Sequence, residues 1–270
     1  MGERQVGRYV YCVTEVRDGL PLEGLEGVDP AFGIEAVDGA GLSAVVSTVS
    51  LEQFGAEALK RNLEDLEWLE RVARAHHAVL DRVAAAAPLV PLRLCVIFEG
   101  DDHVRAMLER ERDGLVRGLE RVRGRAEWSV KVIVDRAALE AAARERSPAP
   151  ATRPAEAEDA PGRAYFARKK VDRQVRDEAR ELADGAVEEV HGRLTDEATA
   201  ATLLPPPHPD LVPESGPVAM NGAYLVERGR EAEFAAAVAE LGERYRDLGL
   251  ELRLGGPWAP YNFVTSPDAS

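Results

Sequence analysis

Five groups of residues in this 270-residue chain carry side chains able to do chemistry. Glu99, Asp101, Asp102 and His103 are the densest ionisable cluster, and such a set could hold a divalent cation. The same acids sit at a strand-to-helix junction, where carboxylates cap a helix and face the positive end of its dipole. His76 and His77 with Asp81 could be metal ligands or a base with its orienter, but adjacent helical positions do not face each other. His76 falls on an apolar stripe, which makes it a core-edge histidine and His77 a surface one. Cys12 and Cys95 lie among apolar neighbours, where a thiol is protonated and inert. Arg93 stands inside the apolar run Pro-Leu-Arg-Leu-Cys-Val-Ile-Phe. A buried arginine there needs a carboxylate or several carbonyls, so Arg93 is either a structural ion pair or part of an exposed strand face used for binding. Near the C-terminus, Gly-Gly-Pro-Trp-Ala-Pro-Tyr-Asn-Phe-Val holds Trp258, Tyr261 and Phe263, amphipathic anchors of an interface or of a tail folded back on its own sheet.

None of these groups assembles a catalytic, cofactor or metal motif. No G-x-G-x-x-G follows a strand, and neither a Walker A loop nor a G-x-S-x-G elbow is present. No cofactor is therefore expected. Lys and Arg number 34 against 48 Asp and Glu, a formal charge of −14, with a pI near 4.9. That balance argues against nucleic acid or an anionic membrane as a partner held by bulk charge. No stretch reaches the ~20 apolar residues of a membrane span. Glu3, Arg4 and Arg8 stand where a signal peptide needs its apolar core. Two cysteines make no disulfide framework, so the expected location is the cytoplasm.

The elements that must position these residues follow from periodicity. Residues 8–13, Arg-Tyr-Val-Tyr-Cys-Val, read as a strand, and 32–37 and 42–49 as two more, with Asp38-Gly39 as the hairpin turn. From 59 to 86 the period becomes helical, with Leu59, Leu66, Leu69, Ala73, His76, Leu80 and Val83 on one face and Pro88 as the stop. Residues 92–98 predict a central strand. A helix capped by Asp101 or Asp102 and ended by Gly124 follows, then a half-buried strand from Trp128 to Val134. This order predicts an α+β domain over 1–145, ferredoxin-like, with helices on one face of a mainly antiparallel sheet.

Residues 146–163 hold four prolines and no large apolar side chain, which predicts a linker. A second, smaller α+β domain is expected over 164–264. It opens with a long charged helix at 164–198 whose narrow stripe runs Val171, Val175, Ala179, Leu182, Ala186, Val190, Leu194. A proline-rich loop at 203–213, a strand at 218–226, a helix carrying Phe234, Val238, Leu241 and Tyr245, and a strand at 250–254 complete it. Residues 265–270 are expected to be disordered.

Several stretches, in order along nearly the whole chain, resemble the gas vesicle protein F/L family (GvpF/GvpL). They are Tyr-Val-Tyr-Cys-Val at 9–13, Val-Pro-Leu-Arg-Leu at 90–94, Glu-Trp-Ser-Val-Lys-Val at 127–132, Tyr-Phe-Ala-Arg-Lys-Lys at 165–170, Met-Asn-Gly-Ala-Tyr-Leu-Val at 220–226 and Gly-Pro-Trp-Ala-Pro-Tyr-Asn-Phe at 256–263. The closing motif is the most specific. The chain departs from the family at Cys12 and Cys95, where Gly is frequent, at Leu94, usually Phe, and at Ala259, often Pro. The resemblance implies a non-enzymatic minor component of gas vesicles. It would act early in assembly by binding the small hydrophobic shell protein (GvpA), together with other minor gas vesicle proteins, and limit its aggregation. Trp258, Tyr261 and Phe263, and Arg168, Lys169 and Lys170 on the long helix, are the candidate docking residues. Two other readings stay open: a ligand- or metal-binding ferredoxin-like protein or enzyme built around the 99–103 acids, and a purely structural vesicle subunit.

Overall fold

The computed structural model describes residues 5–146, 161–206 and 216–267, with side chains at 161–168 excepted. The chain forms two compact units, Met1–Glu127 with Pro257–Ser270, and Trp128–Gly256.

In the first unit, β1 (Val6–Glu15) lies inside a sheet of order β2-β3-β1-β4, where β2 is Ile34–Gly39, β3 Leu42–Ser50 and β4 Leu89–Pro91, and β5 (Ile97–Phe98) also pairs with β1. All these pairings are antiparallel. Residues 9–14 of β1 are fully buried because helices cover both faces of this sheet. α4 (Asp101–Arg110) and α5 (Arg112–Val122) pack on Val10, Val13, Ala44 and Val46. α1 (Leu51–Phe54) and α3 (Leu66–Ala84) pack on Tyr9, Tyr11, Val45 and Val49, with α2 (Ala56–Asn62) beside them. The second helical layer corrects the one-face cover read from the sequence.

Local chemistry moves several boundaries. The hairpin turn is Ala40-Gly41, both at positive φ (54° and 77°), two residues beyond Asp38-Gly39, which stays in strand and pairs with Ser43 and Leu42. The helix expected over 59–86 breaks at 63–65. There Asp65 accepts from the backbone N–H of Glu67 and Trp68 and restarts it as α3. Of the strand expected at 92–98 only β5 (Ile97–Phe98) forms; β4 ends at Pro91, and Cys95 at φ 64° turns the chain between the two.

The second unit contains β6 (Arg125–Val134) from Trp128 onward, α6 (Arg136–Arg146), α7 (Pro161–Asp196), β7 (Ala200–Leu203), β8 (Val218–Glu227), α8 (Glu231–Tyr245) and β9 (Leu250–Trp258) up to Gly256. Its sheet order is β7-β8-β6-β9. With α6 and α7 taken as one helical layer, the connectivity is β-α-β-β-α-β, the split-βαβ order of ferredoxin-like folds. That order was expected in the first domain and is found in the second, because the strand at 128–134 pairs with β8 and β9 rather than closing the first sheet. The same pairing sets the division at Glu127/Trp128 instead of at 146–163. The proline-rich stretch thus lies within the second unit; most of it falls outside the described residues, and 161–163 open α7.

Of the narrow stripe of α7, Val175, Ala179, Ala186, Val190 and Leu194 are buried against Val130, Val132, Tyr224 and α8; Leu182 is half-buried and Ala183 takes the buried place beside it. Ion pairs secure the α7–α8 contact at its margin: Glu189 accepts from Arg244 and from Tyr245 Oη (2.6 Å), and Glu197 pairs with Arg193 and with Arg230 (2.6 Å).

Candidate functional site

Three of the residues singled out by chemistry, Cys12, His76 and Tyr261, meet in the first unit. Strand β1 carries a bulge between Val10 and Cys12. Two successive side chains, Tyr11 and Cys12, therefore join Tyr9 in the cluster under α3. Tyr9, Tyr11 and His76 stack within 5.7 Å of one another, ring centre to ring centre. Tyr11 Oη is 2.7 Å from Ser47 Oγ and accepts from Val28 N at 2.9 Å, which fastens the loop after β1 to the sheet.

His76 is buried at the centre. Its Nδ1 is 2.9 Å from Tyr9 Oη and its Nε2 is 3.0 Å from Tyr261 Oη, so both ring nitrogens are engaged; Tyr9 Oη also accepts from Cys95 N at 3.2 Å. Burial, and then the neighbouring His77, lower its pKa from 6.5 to about 4, against the opposing pull of the Leu92 carbonyl. Burial likewise pushes Tyr9, Tyr261 and Cys12 up. These groups are neutral at pH 7. With His76 only 1% exposed, the imidazole is a bracket between two phenols rather than a base open to a substrate.

Tyr261 belongs to the tail, which folds back within its own unit. Asn262 donates its backbone N–H (2.9 Å) and its side-chain amide to Glu127, a buried carboxylate whose pKa burial raises and these bonds pull down. Phe263 is buried, Val264 lies against Gly118, and Ser266 Oγ donates to the Pro91 carbonyl at 2.7 Å. Residues 265–267, expected to be disordered, are held by that bond and by burial of Pro267; 268–270 lie outside the described residues. Of the three tail aromatics, Phe263 is buried and Tyr261 half-buried, while Trp258 is 50% exposed.

The remaining candidates are dispersed. Lys169 and Lys170 are exposed on α7, and Arg168 lies outside the described side chains. Arg93 is exposed rather than buried, because β4 ends at Pro91 and the chain turns before β5. Asp101 holds Arg8 (2.6 Å), which also donates to Thr48 (2.7 Å) and pairs with Glu35; Asp102 holds Arg105 (3.0 Å). Neither acid caps the helix as expected: Gly100 is the N-cap with no side-chain cap bond, and Asp101 and Asp102 lie in the first turn, where the dipole reading holds; Arg8 supplies Asp101 with its cation. Among the described residues no group of three or more His, Cys, Asp or Glu is placed to hold a metal ion. The Arg8 link and the Glu127–Asn262 clamp escaped sequence reasoning. Their partners are 93 and 135 residues apart, and no local pattern couples them.

Comparison with known proteins bears on this tail directly. The family described as "Gas vesicle synthesis protein GvpL/GvpF" matches residues 7–265, a span that takes in the sheet, the His76 bracket and the Glu127–Asn262 clamp. The chain belongs to the GvpL/GvpF family of gas vesicle proteins. It is 37% identical over 259 residues to gas vesicle protein L of Streptomyces sp. (strain CB03234), covering 95% of this chain and 92% of that protein. Gas vesicle protein F of the same strain is 28% identical over 263 residues, covering 95% and 98%. The crystal structure of GvpF from Microcystis aeruginosa superposes with a TM-score of 0.67 at 20% identity, covering 96% of this chain and 99% of that one. GvpF from Anabaena sp. PCC7120 superposes with a TM-score of 0.69 at 18% identity, covering 97% of each. The α+β architecture is therefore that of the GvpF structures. The relatives carry the names of gas vesicle proteins and no enzyme name.

Proposed function

We propose that this chain is a gas vesicle assembly factor and minor vesicle component, which binds the small hydrophobic shell protein (GvpA) and limits its aggregation while vesicles nucleate. The observation that carries the reading is the match to a family described by vesicle synthesis over residues 7–265. The physics is compatible. An aggregation-prone subunit exposes apolar surface and strand edges, and a companion that keeps it dispersed needs an apolar foothold on a strongly charged body. The net charge of −14 supplies the second requirement, and exposed Trp258 beside the anchored tail is a foothold of the right chemistry. Asp101 and Asp102 are paired with Arg8 and Arg105, and the buried imidazole is closed to solvent, which supports a binding role rather than catalysis. Among the described residues no helix is long and apolar enough to cross a membrane, and the site of action we infer is the gas vesicle.

The test is co-purification of tagged full-length chain with co-expressed shell protein. The shell protein is expected in the eluate, and Trp258→Ala is expected to reduce it several-fold while the melting temperature stays unchanged. An eluate free of shell protein would refute the reading; undiminished recovery with Trp258→Ala would remove Trp258 from it.

A further inference from the structure

β9 is the last strand of the second sheet, and among the described residues no strand pairs with its outer edge. An open edge offers a row of N–H and C=O groups to another strand. The segment here, Leu250-Glu251-Leu252-Arg253-Leu254, is a mirror about Leu252, with leucine at both ends and an acid and a base at matching positions. Asp135 N donates to the Gly249 carbonyl at 2.8 Å, so that carbonyl points toward β6 and, across the planar trans peptide, the Leu250 N–H points away from it. By the alternation of an antiparallel ladder, Leu250, Leu252 and Leu254 then turn their backbone groups to the open edge. Their side chains belong to the core beneath the helices, Leu250 buried and the other two packed against it. Glu251 and Arg253 are exposed and hydrogen-bonded to each other at 2.6 and 3.1 Å. A groove of about 860 Å³ runs along β9 on the helical side, walled on α8 by Ala235, Val238, Ala239 and Gly242. A Cβ added at Gly242 would sit in ordinary contact with Leu252 Cβ, 3.9 Å away, so the floor of the groove there has room for a methyl group.

We propose that β9 pairs antiparallel with β9 of a second copy of this chain, about a two-fold axis at Leu252. In that register Leu252 meets its own counterpart as a hydrogen-bonded pair, and each Leu250 faces a Leu254. The incoming leucines fall on the helical side, over the small-residue groove. Each Glu251 faces an Arg253 on the open side, at the closer non-hydrogen-bonded positions where cross-strand ion pairs act best. Moving the axis to Glu251 or to Arg253 would put like charges opposite each other, so the charges select this register and select a second copy over an uncharged apolar strand.

The test is the mass of the purified full-length chain by sedimentation velocity across a concentration series. The wild type is expected to pass from monomer to dimer. E251R and R253E each place like charges opposite twice by symmetry and are expected to weaken the dimer about tenfold or more. The double exchange E251R/R253E restores complementarity and is expected to restore the dimer. Circular dichroism and melting curves unchanged in all three would show that the fold is intact, as expected for exposed side chains. A wild type that stays monomeric throughout would overturn the proposal. So would a dimer indifferent to both single exchanges, or a double exchange that fails to rescue. A monomer whose E251R variant loses the shell protein on co-purification would assign this edge to that partner and overturn it too.

Discussion

At the residue scale, a single imidazole links the sheet, α3 and the tail of the first unit. His76 is neutral because its burial, and then the neighbouring His77, favour the uncharged ring, and its pKa falls from 6.5 to about 4. A folded pKa below the unfolded one means the unfolded chain binds more protons between those values. The contribution is thus fully present above pH 6.5 and lost as the pH falls toward 4, amounting to ~3 kcal/mol at most. Chemical denaturation of the wild type should weaken across that window. His76→Gln, with no titrating ring, should be less stable at pH 7 but flatter below it, and parallel slopes in the two proteins would refute the assignment. Glu127 has the opposite sign, since its raised pKa makes neutralisation favourable on the acid side. Asn262 offsets its burial with two hydrogen bonds. Asn262→Ala removes the side-chain one and should cost about 2 kcal/mol in urea unfolding. Adding Glu127→Gln should recover part of that loss, because the buried group left behind is then uncharged; a double variant no more stable than Asn262→Ala would mean that the clamp is not electrostatic.

At the scale of elements, strong periodicity and turn chemistry were readable and weak patterns were not. Most of the α7 stripe is buried, with Val171 and Leu182 half-buried, yet the helix carries Gly185 and Gly192 with open space where a Cβ would go. Glycine inside a helix costs about 1 kcal/mol against alanine. Gly185→Ala and Gly192→Ala should each raise the stability of the full chain by up to that amount in thermal or urea melts, and a loss in either would mean that the glycine serves a contact on that face. The elements that escaped reading lacked a signal of their own. β7 is Ala-Ala-Thr-Leu, too short and too weakly apolar to register except through its pairing with β8. α6, Arg-Ala-Ala-Leu-Glu-Ala-Ala-Ala-Arg-Glu-Arg, buries only Leu139 and Ala143. Cys95 at φ 64° breaks a mainly apolar run, in a backbone region that suits glycine and that no side-chain pattern announces.

At the scale of the whole molecule, class was legible and division was not. Alternating apolar runs announce α+β with antiparallel sheets, as in the GvpF structures. Composition suggested a boundary at 146–163, but strand pairing puts it at Glu127/Trp128 and returns the tail to the first unit. The site was legible as residues and not as an assembly. Tyr9, His76 and Tyr261 were each visible, but a bracket spanning 185 residues has no local period. The anchored tail fixes the place of Trp258, which is 50% exposed, and so a short motif can present an aromatic face in a defined position. The most direct measurement of the central claim is the fraction of co-expressed shell protein that stays in the supernatant after high-speed centrifugation, at increasing doses of this chain. The account predicts a supernatant fraction that rises with dose and falls back with Trp258→Ala. A shell protein that pellets equally at every dose would contradict it.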